Sequence, residues 1–515
     1  MKTVRKRRFA GLGPLPLVVL LLAAAAPPRA AGPVVTTDLG AVRGVAIGRG
    51  AAFRGIPFAA PPVGALRWRE AAPARPWRGI RAATAFGPLC IQPTDARTAG
   101  LPQSEDCLTL NVVTPDRAAH GLPVLISVHG GAFFVGSGRY IADHDLSPIV
   151  RRGVVLVSPN YRLGRLGFFA HPALTAEAGH GTGNFWLSDQ IAALRWVKRN
   201  IARFGGDPGA VTILGCSAGG SSINALMASP AARGLFARAA THSGGGFFNA
   251  TRPLAVAEAE GMAFAARAGI APGAPDIPAR LRALSPAQIL AADPGPPNFG
   301  AIVDGRLLPG QISAIFARGA QAPVPFISGS TSNEASVFGL MGFDAAVLRD
   351  RFGIDMAAIR PVYEADGPLS DAEFLRRVQT DFIFTSAGLG MADLAAGAAP
   401  AWSYHFAYVP AAERATAPGA PHCADMPYIA GLPAGAAPAD QALARTLQSY
   451  WYHFIARGDP NGPGLPAWPR TESGRSRPLV IGDDIRPQPG FQAARRALWL
   501  AKWRADIGAA PRPTP

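Results

Sequence analysis

Lysine is almost missing from this chain. Lysine and arginine together number 50, yet only four residues are lysine: Lys2, Lys6, Lys198 and Lys502. The arginines are scattered, without the basic helix or the basic patch interleaved with aromatic residues that nucleic-acid binders show, so no nucleic-acid partner is expected. Six positive charges of the formal +16 lie in the first 31 residues, and without them the charge is about +10. We interpret the remaining excess as a solvated surface.

Long apolar runs are also scarce. The run 15–26 follows a basic cluster and precedes small residues through Ala31, an order typical of a secretory signal peptide. We therefore predict a signal at residues 1–31, with the cleavage site approximate, and an exported protein, periplasmic or secreted. A retained anchor and, because of Arg7-Arg8-Phe9, twin-arginine export are alternatives. No later stretch is long and apolar enough to span a bilayer, so no stable membrane insertion is expected after signal removal.

Cysteine is the third scarce residue. The chain has four: Cys90, Cys107, Cys216 and Cys423. An even number in an exported protein favours two disulfides, although four cysteines allow three pairings.

Predicted strands alternate with helices along the rest of the chain. The predicted strands include 122–129, 154–159, 211–214, 239–243, 324–329 and 401–409, and helices are predicted at 189–204 and within 342–400. This alternation favours an α/β fold with a mostly parallel sheet. Residues 268–300, rich in proline, alanine and glycine, are expected to form an excursion over the sheet. No internal repeat is present, and we predict a single domain over 32–510.

The segment Gly215-Cys216-Ser217-Ala218-Gly219 stands between the strand 211–214 and a helix that starts near Ser221. A strand–GxSxG–helix sequence is the signature of a nucleophile elbow, in which glycines permit a turn too tight for side chains. It predicts Ser217 as a nucleophile. The alternative is a plain glycine-rich turn in a parallel α/β unit.

A serine nucleophile needs a base and an acid, which in this type of fold follow it in the order acid, then histidine. The histidines downstream of Ser217 are His242, His405, His422 and His453. His422, after a Pro-Gly-Ala-Pro loop, is the best candidate, because His242 comes too early and the other two fit packing positions. Glu334, in a polar loop after a strand, is the candidate acid, although a loop glutamate can also serve only solubility.

The stretch His129-Gly130-Gly131-Ala132-Phe133 also follows a buried strand. It matches an oxyanion-hole loop whose N–H groups face the elbow. The alternative is a flexible glycine turn.

Taken together, these stretches resemble type B carboxylesterases, the cholinesterase-like branch of the α/β-hydrolases. The matching stretches, spread over about residues 34–500, are FRGIPFAAPPVGALRW (53–68), SEDCLTLNV (104–112), VLISVHGGAFFVG (124–136), SPNYRLGRLGFF (158–169), GNFWLSDQIAALRWVKRNIARFGGDP (183–208), VTILGCSAGG (211–220), VDGRLLPG (303–310), the Glu334 loop, APHCADMPYI (420–429) and FIARGDPN (454–461). The resemblance implies an α/β-hydrolase fold, with a large, mostly parallel sheet flanked by helices and with loop and helical insertions forming a gorge.

The resemblance also assigns roles. It implies Ser217 as nucleophile, Glu334 as acid, His422 as base, the N–H groups of Gly131, Ala132 and Ala218 as oxyanion donors, Ser243 as a support for the acid–base pair, and a disulfide between Cys90 and Cys107. Glu105 is expected to form a structural pair with an arginine such as Arg54. No metal or organic cofactor is implied, and the expected partner is a small-molecule ester.

Several positions depart from the family pattern. Ala132, Trp186 and Ala335 stand where glycine is usual. Cys216 precedes the predicted nucleophile and Cys423 follows the predicted base, an arrangement that resembles the disulfide-linked Cys-Ser and His-Cys of tannases and feruloyl esterases. We therefore predict a bridge between Cys216 and Cys423; the alternative is two buried thiols.

These observations predict a carboxylesterase, a serine hydrolase of carboxylic esters. A feruloyl or tannin-type esterase, or a lipase, on the same scaffold is the first alternative. A non-catalytic cholinesterase-like binding protein is the second. Substrate specificity and oligomeric state are left open by the sequence.

Overall fold

The computed structural model describes residues 32–142, 147–245, 251–293, 299–340, 342–472 and 477–509, together with residues 1 and 475. The predicted signal peptide therefore lies, apart from Met1, outside the described residues. Residues Pro33–Pro515 form one compact unit. No helix in the described ranges is long and apolar enough to cross a membrane.

The strands, in chain order, are β1 Val34–Thr36, β2 Ala41–Arg43, β3 Val45–Ile47, β4 Gly50–Pro57, β5 Ile80–Ala82, β6 Thr109–Thr114, β7 Leu122–Val128, β8 Val155–Pro159, β9 Gly206–Cys216, β10 Arg238–His242, β11 Arg252–Pro253, β12 Ile302–Val303, β13 Phe326–Thr331, β14 Ala401–Phe406, β15 Leu479–Ile481 and β16 Ile485–Pro487.

The α-helices are α1 Arg139–Ala142, α2 Pro148–Arg151, α3 Gly164–Gly167, α4 Pro172–Ala178, α5 Phe185–Asn200, α6 Ala218–Ala228, α7 Leu254–Arg267, α8 Ile277–Ala283, α9 Pro286–Ala291, α10 Ile312–Ala317, α11 Ala345–Phe352, α12 Met356–Tyr363, α13 Asp371–Thr380, α14 Ser386–Ala395, α15 Met426–Ala430, α16 Pro438–Arg457 and α17 Ala493–Ala509. Short 3₁₀ turns lie at Gly64–Leu66, Ile201–Phe204, Pro230–Ala232 and Glu334–Leu340, and a π-helical turn joins α13 to α14 at Asp381–Thr385.

The main sheet has eleven strands in the order β16-β15-β14-β13-β10-β9-β7-β8-β6-β4-β3. All neighbours from β15 to β8 are parallel, and the outer strands pair antiparallel. The prediction of a mostly parallel α/β sheet is confirmed. Because parallel strands end at the same edge, the loops after β7, β9, β10, β13 and β14 all leave the sheet there.

Helices cover both faces of the sheet. Side chains alternate between the two faces along each strand, so a buried parallel strand contributes to an apolar layer on either side. Ile213 of β9 packs in the core that contains Trp196 of α5, whereas the next residue, Leu214, packs in the core that contains Trp451 of α16. Two apolar layers therefore hold the strand that leads into Ser217.

The region 268–300 has more regular structure than expected. Helices α8 and α9 lie within it, and Ser285 begins α9 with a reciprocal capping box to Gln288. A Ser-x-x-Gln pattern can start even a short helix by satisfying backbone N–H groups. The abundance of proline and glycine hid this signal.

The Cys90–Cys107 disulfide is present, with Cα atoms 5.0 Å apart. The expected structural pair of Glu105 with an arginine is present, but that arginine is Arg67, at 2.5 Å, and not the suggested Arg54. Arg67 is buried and also donates to the carbonyl of Arg282 at 2.8 Å, while Arg54 lies over the Phe86 ring. Sequence proximity alone does not decide which arginine is buried beside a given carboxylate.

Candidate active site

Ser217 occupies the tight turn between β9 and α6. Its φ of 59° and ψ of −126° lie in a region that side chains rarely adopt. The turn needs its glycines, because a Cβ on Gly215 would lie 2.4 Å from the Gly219 backbone, and one on Gly219 would lie 2.2 Å from the Val128 carbonyl oxygen. The Ser217 N–H donates to the His242 carbonyl at 2.9 Å. The geometry is that of the predicted elbow.

The loop after β7 runs against this turn. A Cβ built on Gly130 would lie 2.7 Å from the Cys216 carbonyl oxygen and 3.2 Å from the Ser217 Cβ, so only glycine allows the approach. The next three residues have positive φ: 111° at Gly131, 52° at Ala132 and 60° at Phe133. Such conformations cost free energy and persist where the surroundings enforce them, often at functional sites.

His129 anchors the loop. Its Nδ1 lies 2.9 Å from the Gly130 carbonyl, its ring stacks on Tyr161 at 4.3 Å, and the Tyr161 hydroxyl donates to the His129 carbonyl. Burial lowers the pKa of His129 to about 4. The imidazole is therefore neutral at physiological pH, and Nδ1–H is free to donate to the loop.

His422, which is half-buried, and Glu334, which is buried, form a pair at the carboxyl edge of the sheet. The Nδ1 of His422 donates to the Glu334 Oε2 at 2.5 Å, and the other carboxylate oxygen accepts from the Thr331 N–H at 2.6 Å. The His422 N–H donates to the Ser336 hydroxyl. The His422 Nε2 is buried without a hydrogen-bond partner among the described residues. It is therefore available to a hydroxyl group in the cavity that it shares with Ser217.

A disulfide links the two sides of this arrangement. Cys216 and Cys423 are bonded, with Cα atoms 6.2 Å apart. Ser217 follows one of them and His422 precedes the other. Because consecutive Cα atoms are about 3.8 Å apart, the bridge holds the Cα atoms of Ser217 and His422 within about 14 Å of each other. Both predicted disulfides are thus present, and no described cysteine is free.

The other histidines downstream of Ser217 lie outside the cavity lining, and His242 and His405 contact other residues. The Nδ1 of His242 lies 2.7 Å from Asp425, and its Nε2 accepts from the Trp451 indole at 3.0 Å. Both ring nitrogens therefore have partners, and His242 is not among the described residues that line the cavity over Ser217. His405 is buried in β14 with Nδ1 3.2 Å from the Ser330 hydroxyl, and His453 is half-buried on α16. Neither is among the residues that line the cavity beside Ser217.

The sequence reasoning missed the network around His242. The Tyr404 hydroxyl donates to Asp425 at 2.5 Å and also lies 2.7 Å from the His242 Nδ1. His242 and Asp425 are adjacent in sequence to predicted site segments, His242 just before Ser243 and Asp425 two residues after Cys423. That adjacency was the available signal, but a contact between residues so far apart in sequence could not be inferred from it.

Ser243 lies at the end of β10 with φ 45°. Its hydroxyl is buried and makes no hydrogen bond within the described ranges. The supporting contact to the acid–base pair that the resemblance implies is therefore not formed in this structure.

The departures from glycine have visible consequences. Trp186 is buried, stacks on Phe168 at 5.0 Å and contacts Phe133 at 5.0 Å, so it fills part of the site wall. Ala335 still uses its N–H, which donates to the Thr380 hydroxyl at 3.2 Å. Ala132 keeps its N–H but adds a methyl group to the cavity lining.

A cavity of about 630 Å³ lies over Ser217. Its lining brings together the predicted nucleophile, base and oxyanion donors: Gly131, Ala132, Ser217, Ala218 and His422. Ala218 is the first residue of α6, where N–H groups have no partner within the helix. The described residues contain no cluster of three or more histidine, cysteine or acidic side chains that could hold a metal ion.

The chain is similar to known carboxylesterases. The model of the carboxylesterase family matches residues 31–366 and 357–499. Fumonisin B1 esterase of Sphingopyxis macrogoltabida is 36% identical over 487 residues, covering 88% of this chain and 87% of that protein. Para-nitrobenzyl esterase of Bacillus subtilis is 34% identical over 492 residues, covering 90% and 97%.

Solved structures agree on the fold. A PNB esterase superposes with a TM-score of 0.79 at 31% identity, covering 90% of this chain and 98% of its own. A Geobacillus stearothermophilus carboxylesterase gives 0.76 at 32% identity, covering 90% and 99%. The predicted α/β-hydrolase fold and the predicted class of enzyme, a carboxylic ester hydrolase, are confirmed. The chain belongs to the carboxylesterase family.

Proposed function

We propose that this enzyme hydrolyses carboxylic esters through an acyl-enzyme on Ser217, with His422 as base and Glu334 as acid. The single observation that carries the proposal is the orientation of His422. Its Nδ1 is held by Glu334 at 2.5 Å, while its Nε2, without a partner among the described residues, belongs to the lining of the cavity over Ser217. An imidazole held on one side and open on the other is suited to general-base chemistry.

The reaction proceeds in two halves. In the first, the Ser217 hydroxyl attacks the ester carbonyl while His422 Nε2 takes its proton, and the resulting tetrahedral oxyanion accepts hydrogen bonds from the N–H groups of Gly131, Ala132 and Ala218. His422 then protonates the leaving alcohol. In the second half, His422 removes a proton from water, which attacks the acyl carbon; His422 then returns the proton to the Ser217 oxygen as the bond to the acyl carbon breaks, which releases the acid and restores the Ser217 hydroxyl. Glu334 keeps the Nδ1 proton in place and stabilises the imidazolium.

Two strained turns support the oxyanion assignment. The loop of Gly131 and Ala132 is held in positive-φ conformations and lies against the nucleophile turn through Gly130. Donors fixed before the reaction stabilise developing charge without reorganisation, and one such donor can be worth about 3 kcal/mol.

Serine labelling tests the proposal. A fluorophosphonate probe should label the wild-type enzyme, and Ser217→Ala should abolish both labelling and turnover of a short-chain 4-nitrophenyl ester. Ser221→Ala is the matched control, because this serine lies on α6, the helix that begins directly after Ser217, and lines the same cavity. It should retain labelling. Turnover retained by folded Ser217→Ala would refute the assignment.

We also propose that residues 1–31 direct export and that residues 32–510 are the mature catalytic domain. The two disulfides support this, since such bonds persist in oxidising compartments. Amino-terminal sequencing of the enzyme recovered from the periplasm or medium should start near residue 32. Recovery only of the full-length chain in the cytoplasm would contradict it.

The Cys216–Cys423 bridge favours a second candidate function, that of a feruloyl or tannin-type esterase. The bridge resembles the disulfide that links the Cys-Ser and His-Cys pairs of those enzymes. Comparing methyl ferulate and methyl gallate with a short-chain aryl ester distinguishes this narrower activity. A non-catalytic binding role is not favoured, since every side chain that the chemistry needs is present.

A further inference from the structure

The charged side chains that line the cavity over Ser217 are of one sign. Among the described residues they are Arg97, Arg252 and Arg351, and no lysine, aspartate or glutamate lines it. A neutral ester needs no such lining. Guanidinium groups in a pocket are the usual means of holding a carboxylate or another oxyanion.

Arg252 is a largely buried part of the wall of the cavity over Ser217. Its side chain is 12% exposed, its Nη1 pairs with Glu260, and its Nη2 donates to the Gly300 carbonyl at 3.1 Å. Its Nε is buried without a hydrogen-bond partner in the described part of the chain. Leaving a buried donor of a charged group unsatisfied is costly, so an incoming acceptor would be favoured here.

Arg351, on α11, lies over two aromatic rings, with its guanidinium carbon 5.2 Å from the Phe352 centroid and 5.8 Å from that of Phe343. The rings fix the guanidinium plane. Both phenylalanines also line the cavity.

The two arginines act on one another. Burial lowers the pKa of Arg252, Glu260 raises it, and the positive charges of Arg165 and Arg351 lower it further. Burial also lowers the pKa of Arg351, again opposed by Glu260. Glu260 thus offsets part of the charge of both groups, and a bound anion would relieve their mutual repulsion.

The surroundings strengthen such an interaction. Phe299, Phe343, Phe352 and Phe384 contribute apolar surface to the same cavity. Low-dielectric walls raise the energy of a charge–charge contact above its value in water. Arg97 differs, because its side chain is 70% exposed and is bound to Asp95 at 2.9 Å, so its charge is screened and already paired.

We propose that the cavity selects esters that carry a carboxylate at a distance from the scissile bond, with Arg252 and Arg351 as the specificity-determining residues. The inference rests on the proposed ester hydrolysis at Ser217. It names the substrate class of that site: a half-ester of a dicarboxylic acid, or an ester of a carboxylate-bearing alcohol.

Two pairs of ester probes distinguish a carboxylate in the acyl part of the substrate from one in the leaving group. Mono(4-nitrophenyl) adipate against 4-nitrophenyl methyl adipate places the charge in the acyl part, and 4-acetoxybenzoate against methyl 4-acetoxybenzoate places it in the leaving group. For at least one pair, kcat/KM should favour the anion by about tenfold or more, because a hydrogen bond to a charged group is worth about 1.5–3 kcal/mol. Added salt should reduce the preference.

Four variants, one of them a control, locate the effect. Arg252→Gln and Arg351→Gln should each lower the anion-to-neutral ratio of kcat/KM by about tenfold while turnover of the neutral ester persists. Arg97→Gln is the matched control from the same cavity and should leave the ratio unchanged. Glu260→Gln should raise the ratio, since it removes the negative charge that offsets both arginines. A rise of this kind cannot result from misfolding.

The outcomes separate the two proposals. Two results would overturn the carboxylate selectivity and leave ester hydrolysis standing. One is hydrolysis of the neutral esters through Ser217 with no preference in either pair, and the other is an unchanged ratio in Arg252→Gln, Arg351→Gln and Glu260→Gln. Loss of hydrolysis of every probe by folded wild-type enzyme would overturn both.

Discussion

The disulfide between Cys216 and Cys423 joins the residue before Ser217 to the residue after His422. The two residues lie 207 positions apart in sequence, on the elbow and on the loop that carries the proposed base. His422 stands in an irregular loop, fixed by Glu334, Ser336 and this bridge. The covalent link therefore restrains the position of the imidazole relative to the nucleophile.

Removing this bridge should impair turnover more than binding. In the Cys216→Ser, Cys423→Ser double variant we expect kcat to fall by about 100-fold, because a displacement near 1 Å between reacting groups has a cost of that order. KM for a short-chain aryl ester should change little. Steady-state kinetics of the folded variant measure both values.

The Cys90–Cys107 bridge is the matched control, since neither cysteine adjoins Ser217 or His422 in sequence and neither lines the cavity over Ser217. Its double serine variant should lose stability without losing kcat. Chain entropy gives about 3 kcal/mol for that loop and about 5 kcal/mol for the loop closed by Cys216–Cys423. Equal kcat losses in the two variants would show that the active-site bridge has no special role in positioning.

Much of this site was predictable from local sequence, and the reason is physical. The elbow and the loop at Gly130 depend on glycines that no side chain could replace, so their spacing marks them in the sequence. The pairing of His422 with Glu334 required the family resemblance, because nothing local distinguishes Glu334 from a surface glutamate. The arginine that neutralises Glu105 was mispredicted, since burial of Arg67 is decided by packing against distant residues.

The buried network around Asp425 supports the loop of the proposed base. Asp425 precedes α15 and accepts from both His242 and Tyr404. We expect Asp425→Asn to lower the free energy of unfolding by about 2–3 kcal/mol, because it removes a charged acceptor from a buried site. It should also lower kcat by about tenfold, since a drift of the His422 loop well under 1 Å would have that cost.

Tyr404→Phe is the companion variant. It removes one donor and leaves the carboxylate bound to His242, so the loss of stability should be nearer 1 kcal/mol with kcat almost unchanged. Urea unfolding and steady-state kinetics compare the two. Unaltered kcat in Asp425→Asn would mean that the network stabilises the fold without positioning His422.

A buried histidine away from the cavity should make the fold acid-sensitive. His405 is 4% exposed in β14, and burial, aided by the charge of Arg495, lowers its pKa from 6.5 to about 3. The unfolded chain therefore binds a proton between these values that the folded chain does not bind. Stability from the neutral imidazole is complete above about pH 6.5 and is lost progressively as the pH falls toward 3, by about 1.4 kcal/mol per pH unit.

Replacing His405 by glutamine removes this pH-dependent contribution to the free energy of unfolding. At pH 8 the variant should be less stable than the wild type, because it loses packing against Phe491 and the contact with Ser330. At pH 4.5 the difference should shift by about 3 kcal/mol in favour of the variant, since only the wild type then resists protonation of a buried ring. Urea unfolding at the two pH values measures the shift, with His120→Gln, at an exposed position, as the control. Parallel pH profiles for wild type and His405→Gln would show that another group, such as His129, governs the acid sensitivity.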